Sequence, residues 1–328
     1  LYESGRFMSQ SLAFVFPGQG SQSVGMLDAW GDHPAVRQTL LEASDALGED
    51  ISLMIAQGSK EQLALTTNTQ PVMLVAGVAT YRAWLAEGGQ PPSFVAGHSL
   101  GEYAALVAAE VLTLQQAVPL VRLRARAMQE AVPVGVGAMA AVLGMEAAKI
   151  QAICAEVTAA MACPGLELVE AVNFNDPLQT VIAGSKAAVD RACEALKGAG
   201  AKRALLLPVS APFHCSLMQP AAEILKAGLA SIAFRAPKIA VLNNVDVKIE
   251  VDPDAIKDAL VRQAFGPVRW VETIRRFADH GVTRVVECGP GKVLAGMVKR
   301  ISPSLEATAL FDPASLQELK NQLNGTHI

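Results

Sequence analysis

An α/β fold, a parallel sheet with a smaller βαββαβ unit inserted into it, is what the sequence predicts. Three observations carry that expectation. Short apolar runs at Leu12–Phe16, Phe94–Gly97, 239–242 and 284–287 alternate with helical patterns, as buried parallel strands joined by crossover helices do. Glycine-bearing loops follow these runs directly, at 17–20, 97–101 and 289–291. From Gly135 the rhythm changes to strand, helix, strand, strand, helix, strand over roughly 70 residues, the order of a split βαβ arrangement.

The elements follow in order. Leu12–Phe16 is a buried strand entering the tight loop Pro17-Gly18-Gln19-Gly20. Between Ala35 and Ala86 lie helical patterns broken at Gly48, Gly58 and the turn Asn68-Thr69-Gln70-Pro71. Phe94–Gly97 is a second short strand, followed at once by a helix over 102–109. The next helix has two candidate starts: a capping box at Thr113 and Gln116, or a first turn at Pro119, which implies a kink or a later start. The inserted unit reads as strands at 138–143, 169–174, 180–183 and 203–209 and helices at 146–160 and 186–197, with hinges near 133–135 and Pro208. A last helical pattern covers 294–301. The expected organisation is a large domain of residues 8–133 and 208–328 and a small one of 134–207. Residues 1–7 read as a vector-derived remnant, with Met8 as the natural start.

Composition narrows the class. With 328 residues, 51% hydrophobic and 18% charged, the chain is neither disordered nor of low complexity. No apolar run approaches the roughly 18 residues of a membrane span. The formal net charge of −4 disfavours a nucleic-acid binder, which carries a basic excess. Cys154, Cys163, Cys193, Cys215 and Cys288 form no C-x-x-C pair and no disulfide framework, so they read as small buried apolar residues in a reducing, cytoplasmic setting. Zinc has no support, and no metal is expected.

The strongest local signal is Gly97-His98-Ser99-Leu100-Gly101, a G-x-S-x-G between a strand and a helix. Glycines there permit a sharp turn that projects the Ser99 hydroxyl, and the helix N-terminus offers N–H groups to a developing oxyanion. Ser99 is the candidate nucleophile. Its base must come from His33, His98, His214, His280 and His327. His327 is terminal, His33 and His280 sit in polar surroundings, and His98 should point away from Ser99. His214, on a loop after a strand end, remains. No Asp or Glu between Ser99 and His214 stands at an obvious strand end, so a Ser–His dyad is expected, with a backbone carbonyl orienting the imidazole.

Arg124 is anomalous. Leu120, Val121, Arg124 and Met128 share one helix face, while Arg122 and Arg126 lie on the opposite, solvated one. A guanidinium on an apolar stripe meets either a structural carboxylate or a ligand carboxylate. Gln19, just after the first strand, lies at the same sheet edge as Ser99, where a second oxyanion donor is required. A dinucleotide reading of that loop fails, because Ser23 occupies the place of the third glycine. Gly289-Pro290-Gly291 reads as a turn rather than a phosphate cradle.

Taken together these motifs resemble the malonyl-CoA:acyl carrier protein transacylase family. The resemblance rests on FVFPGQGSQ (14–22), GHSLGEY (97–103), VRLRARAMQ (121–129), NFN (173–175), PFHC (212–215), NN (243–244), VRQ (261–263) and ECGPGKVL (287–294). It covers the chain from Met8 to about Ile301. It implies an α/β-hydrolase-like core with an inserted ferredoxin-like subdomain. It also implies Ser99 as acylated nucleophile, His214 as base, and the N–H groups of Gln19 and Leu100 as oxyanion hole. Arg124 becomes the clamp on the malonyl carboxylate, and Gln263 lies beside His214 with its carbonyl fixing the imidazole. Asn173 lines the site, and Phe213 leaves little room for an α-methyl branch. The implied partners are malonyl-CoA and acyl carrier protein, with no redox cofactor or metal, in a monomer. A serine hydrolase or thioesterase shares Ser99 and His214 but has no reason to bury Arg124. A discrete loading acyltransferase for polyketide assembly shares the chemistry with another carrier, and a non-catalytic carrier-binding module needs no intact Ser–His–Arg set.

Overall fold

The computed structural model describes residues 11–163 and 166–325. The expectations for residues 1–7, Met8 and His327 lie outside them. From the N-terminus, β1 (Leu12–Phe16) leads through the Gln19 loop to α1 (Pro34–Leu47), α2 (Ile51–Gln57), α3 (Lys60–Ala64) and α4 (Thr66–Ala86). Then β2 (Phe94–Gly97), α5 (Gly101–Ala108) and α6 (Leu114–Glu130) follow. The smaller unit comprises β3 (Gly137–Leu143), α7 (Ala147–Ala159), β4 (Val169–Asp176), β5 (Gln179–Ser185), α8 (Lys186–Gly198) and β6 (Arg203–Leu206). The chain then returns through α9 (Gln219–Ala230), β7 (Ala240–Leu242), α10 (Pro253–Phe265), α11 (Trp270–Asp279), β8 (Arg284–Cys288), α12 (Val293–Ile301), β9 (Glu306–Leu310) and α13 (Pro313–Asn324).

The large sheet has the order β7-β2-β1-β8-β9, and every pairing in it is parallel. Period-2 alternation divides β1 between two cores. Phe14 and Phe16 pack with α4, α5 and α6, while Ala13 and Val15 face Trp270, Phe277 and Val298 of α11 and α12. With β1 central and neighbours on both sides, the loops after β1 and β2 emerge together at the carboxyl edge, where open α/β sheets place their sites. The small sheet, order β4-β5-β3-β6, is antiparallel throughout. One face packs on α7 and α8 through Val142, Ile150, Ile182 and Leu196. Its other face meets the large unit through Met139, Val172 and Val181, against Met128 of α6 and Phe213.

Several expectations are corrected. The Asn68–Pro71 segment is no turn: α4 runs through it, nearly all of it buried. Pro71 forgoes one backbone bond near the helix start, and packing from all sides holds the rest. α6 starts at the Thr113 capping box, with Pro119 inside the helix. Arg122 is not solvated. Because α6 packs against α1, α4 and α9, Arg122 is covered and donates to Glu49 at 2.6 Å. Cys163 is exposed, whereas the other four cysteines are buried. The strand expected over 203–209 ends at Leu206, and β9 and α13 extend the fold beyond Ile301. Among the described residues, no helix is long and apolar enough to cross a membrane.

Candidate active site

The elbow after β2 is set by close approach of backbone to backbone. A Cβ on Gly97 would lie 1.8 Å from the Gly101 carbonyl carbon, and one on Gly101 would lie 2.0 Å from the Phe16 carbonyl oxygen. Ser99 is thereby held at φ 53°, a left-handed conformation that non-glycine residues rarely adopt. Asn244 locks the turn: its Oδ1 accepts the Ser99 N–H at 2.7 Å and its Nδ2 donates to the Gly97 carbonyl at 2.7 Å.

His214, itself at φ 68°, lies 2.6 Å from Ser99 Oγ through Nε2. Its Nδ1 lies 2.8 Å from the Gln263 carbonyl oxygen. A carbonyl only accepts, so Nδ1 carries the proton and Nε2 is free to take one from Ser99. Burial, reinforced by the Arg124 charge, pulls this imidazole down to about 3 from the ordinary 6.5. It is a neutral, proton-accepting base at neutral pH. Between pH 6.5 and 3 the unfolded chain binds a proton here that the folded chain does not, so stability falls as pH drops through that window. In urea titrations from pH 7 to 4, wild type is expected to lose stability more steeply than His214→Gln. Parallel curves would show an imidazole that titrates normally when folded.

Arg124 is 2% exposed. Its Nη1 donates to Gln70 Oε1 at 2.5 Å, and its Nη2 to Gln263 Oε1 at 3.0 Å and Ser99 Oγ at 3.3 Å. The guanidinium sits 5.5 Å from the Tyr103 ring centroid. Among the described residues no carboxylate lies within 4 Å of it in an ion pair. The neutral amides orient the charge without cancelling it.

These groups line a cleft between the two units, with Gln19, Gln70, His98, Leu100, Met128, Met139, Asn173 and Phe213 around Ser99, Arg124 and His214. Gln19 Oε1 accepts from Thr66 Oγ1 at 2.9 Å. Among the described residues neither the Gln19 nor the Leu100 N–H has a protein acceptor. The Ser99 N–H, by contrast, is taken by Asn244. His98 lines the same cleft, with its Nε2 2.8 Å from Asn175 Oδ1. Asn173 Oδ1 is buried without a hydrogen bond. Beyond the Gly289–Gly291 turn, Glu287 accepts the Ala295 N–H at the start of α12, at 2.8 Å.

A half-buried, oriented serine, its buried base and an arginine with no ion-pair partner among the described residues together suit acyl transfer from a carboxylated donor. Known proteins agree. The acyl transferase domain model matches residues 13–312. The malonyl CoA-acyl carrier protein transacylase of Escherichia coli K12 is 53% identical over 305 residues, 93% of this chain and 97% of that one. The chain belongs to that transacylase family. Among solved structures, an acyl-carrier-protein S-malonyltransferase from Burkholderia pseudomallei 1710b superposes with a TM-score of 0.91 at 61% identity, covering 94% and 99% of the two chains. A malonyl-transacylase in complex with a type II polyketide acyl-carrier protein gives 0.91 at 50% identity, covering 96% and 100%.

Sequence reasoning assigned no role to Gln70, Glu102, Asn175 or Asn244. Glu102 was the detectable one, a lone carboxylate in an otherwise apolar helix. It is 2% exposed, and its Oε2 accepts from Gln263 Nε2 at 2.9 Å and from the Asn244 N–H at 3.0 Å. Burial pushes its carboxyl up to about 7 against those donors and Arg124.

Proposed function

We propose that the chain moves the malonyl group from malonyl-CoA to the phosphopantetheine thiol of acyl carrier protein through a malonyl ester on Ser99. The observation that carries this reading is Arg124: a buried cation 3.3 Å from the nucleophile, ion-paired with no described carboxylate. A substrate carboxylate supplies the missing charge.

Ser99 Oγ attacks the thioester carbonyl as its proton passes to His214 Nε2. The tetrahedral oxyanion is held by the N–H groups of Gln19 and Leu100. As the carbonyl re-forms, the C–S bond breaks and the thiolate takes the proton from the imidazolium, releasing CoA as thiol. The carrier thiol repeats the sequence on the ester and restores the Ser99 hydroxyl. Each half-reaction exchanges one acyl bond for another with no change in oxidation state, so it calls for no redox cofactor, and the two N–H groups take the electrophilic role at the carbonyl oxygen. Phe213 and Asn173 line the cleft, and Phe213 leaves little room for an α-methyl branch on the acyl group. The same reading treats the larger unit, 8–133 with 208–328, as an α/β-hydrolase-like core. It treats 134–207 as a ferredoxin-like insertion, supported by its β4-β5-β3-β6 order.

Intact mass after brief incubation with malonyl-CoA tests the reading. A stable single adduct is expected. Unmodified protein with free malonate accumulating would support a hydrolase instead. The polyketide-type neighbour favours a second reading, in which the acceptor is a polyketide carrier; relative kcat/KM with the two carrier types decides between them.

A further inference from the structure

We propose that Glu102 is a positioning residue for malonyl selectivity, fixing the Gln263 amide and, through it, the Arg124 guanidinium. This rests on the reading of Arg124 as the clamp on the substrate carboxylate. Glu102 does not line the cleft, so it acts through its neighbours.

Gln263 is the hinge of the argument. Its backbone carbonyl holds His214, and its side chain is fully buried between three elements. The amide Nε2 donates to Glu102 Oε2 and to the Ser99 carbonyl, both at 2.9 Å. Oε1 is thereby left facing Arg124 Nη2 at 3.0 Å. An amide can turn over at little intrinsic expense. Here the reversed orientation would set Oε1 against the Glu102 carboxyl, the Ser99 carbonyl and, at 3.5 Å, Asn244 Oδ1, and the NH2 group against the guanidinium. Of these acceptors Glu102 is the carboxyl, and in its ionised form it holds the amide more strongly than the neutral Ser99 carbonyl. Without Glu102, reversal forfeits the bonds to the serine carbonyl and from Arg124 but no longer turns an oxygen against a carboxyl. Arg124 would then lose one of its two amide acceptors and swing from the geometry a planar carboxylate needs.

The same carboxyl oxygen accepts the Asn244 N–H, and Asn244 locks the Ser99 turn. A merely structural Glu102 would therefore injure every acyl substrate alike. Positioning through Gln263 and Arg124 injures the carboxylated substrate selectively. The two roles separate in the ratio of kcat/KM for malonyl-CoA to that for acetyl-CoA.

The experiment compares wild type, Glu102→Met, Arg124→Ala and the double variant, each checked for folding by thermal midpoint. Glu102→Met keeps the side-chain volume and removes both oxygens. Its malonyl-to-acetyl ratio is expected to fall about tenfold, the scale of a lost charged hydrogen bond. In the Arg124→Ala background the same change should leave the ratio where it was, since the two residues act in series. Equal losses for both substrates in Glu102→Met, with the ratio collapsed in Arg124→Ala, overturn the proposal and leave the functional reading standing. An unchanged ratio in Arg124→Ala overturns that reading and the proposal with it. Should Glu102→Met not fold, Glu102→Asp keeps the carboxyl but withdraws it by one methylene. A ratio lowered at least about threefold supports positioning, on the scale of a weakened hydrogen bond, and an unchanged one refutes it.

Discussion

Ser99→Ala is expected to form no malonyl adduct and to transfer no acyl group, with its fold intact. The hydroxyl is the acceptor placed against a neutral imidazole, at 2.6 Å. Alanine meets the left-handed backbone at this position with the same Cβ as serine, so the elbow suffers no new strain. Asn244 grips the Ser99 N–H rather than the hydroxyl, so the turn keeps its clamp. Incubation with malonyl-CoA followed by intact mass measures the outcome, and an adduct persisting in this variant would move the nucleophile elsewhere. For His214→Ala, acylation should slow by at least ~10²-fold, the usual contribution of a general base. The Gln263 carbonyl then loses its donor. Near-normal acylation would require a base from another histidine, and the placement argues against each of the other described ones. His98 is tied to Asn175, His33 lies beside Glu87, and His280 stacks on Phe94.

The parts of this molecule that local pattern dictates were legible before any coordinates. Leu12–Phe16 could only be a buried strand, and G-x-S-x-G between strand and helix forces a turn that exposes its serine. Arg124 betrayed itself by standing on an apolar stripe. What pattern could not show was which faces of a helix other helices would cover. Arg122, assigned to solvent by its spacing, is buried because α6 is packed on more than one side. Pro71 and Pro119 signalled breaks that tertiary packing overrode, since each sits in a helix held by its neighbours rather than by propensity. The polar lattice was illegible for a different reason. Gln70, Asn244 and Glu102 come from distant segments, and their roles exist only once α4, α5 and the loop after β7 converge.

Arg124→Ala is expected to reduce malonyl transfer by several kcal/mol, about 3–5 on the scale of a buried charge pair that loses one partner. By the tenfold-per-1.4 kcal/mol conversion that is roughly 10²- to 4 × 10³-fold in kcat/KM. Acetyl transfer should suffer far less, and a rise is compatible with the same physics. A buried, unneutralised guanidinium beside Ser99 disfavours a neutral acyl group, and alanine removes it. Arg124→Lys should rescue malonyl transfer only in part. An ammonium keeps the charge but cannot hold Gln70 and Gln263 with two nitrogens of one plane while presenting a fork to a carboxylate. A guanidinium that served only to tie helices together would behave otherwise. Its removal would strand the Gln70 and Gln263 oxygens, lower stability and reduce both substrates equally. Thermal midpoints with kcat/KM for malonyl-CoA and acetyl-CoA on folded protein separate these outcomes. Equal losses would take Arg124 out of substrate recognition, and with it the strongest physical reason to read this cleft as a malonyl site rather than that of a generic serine acyl-hydrolase.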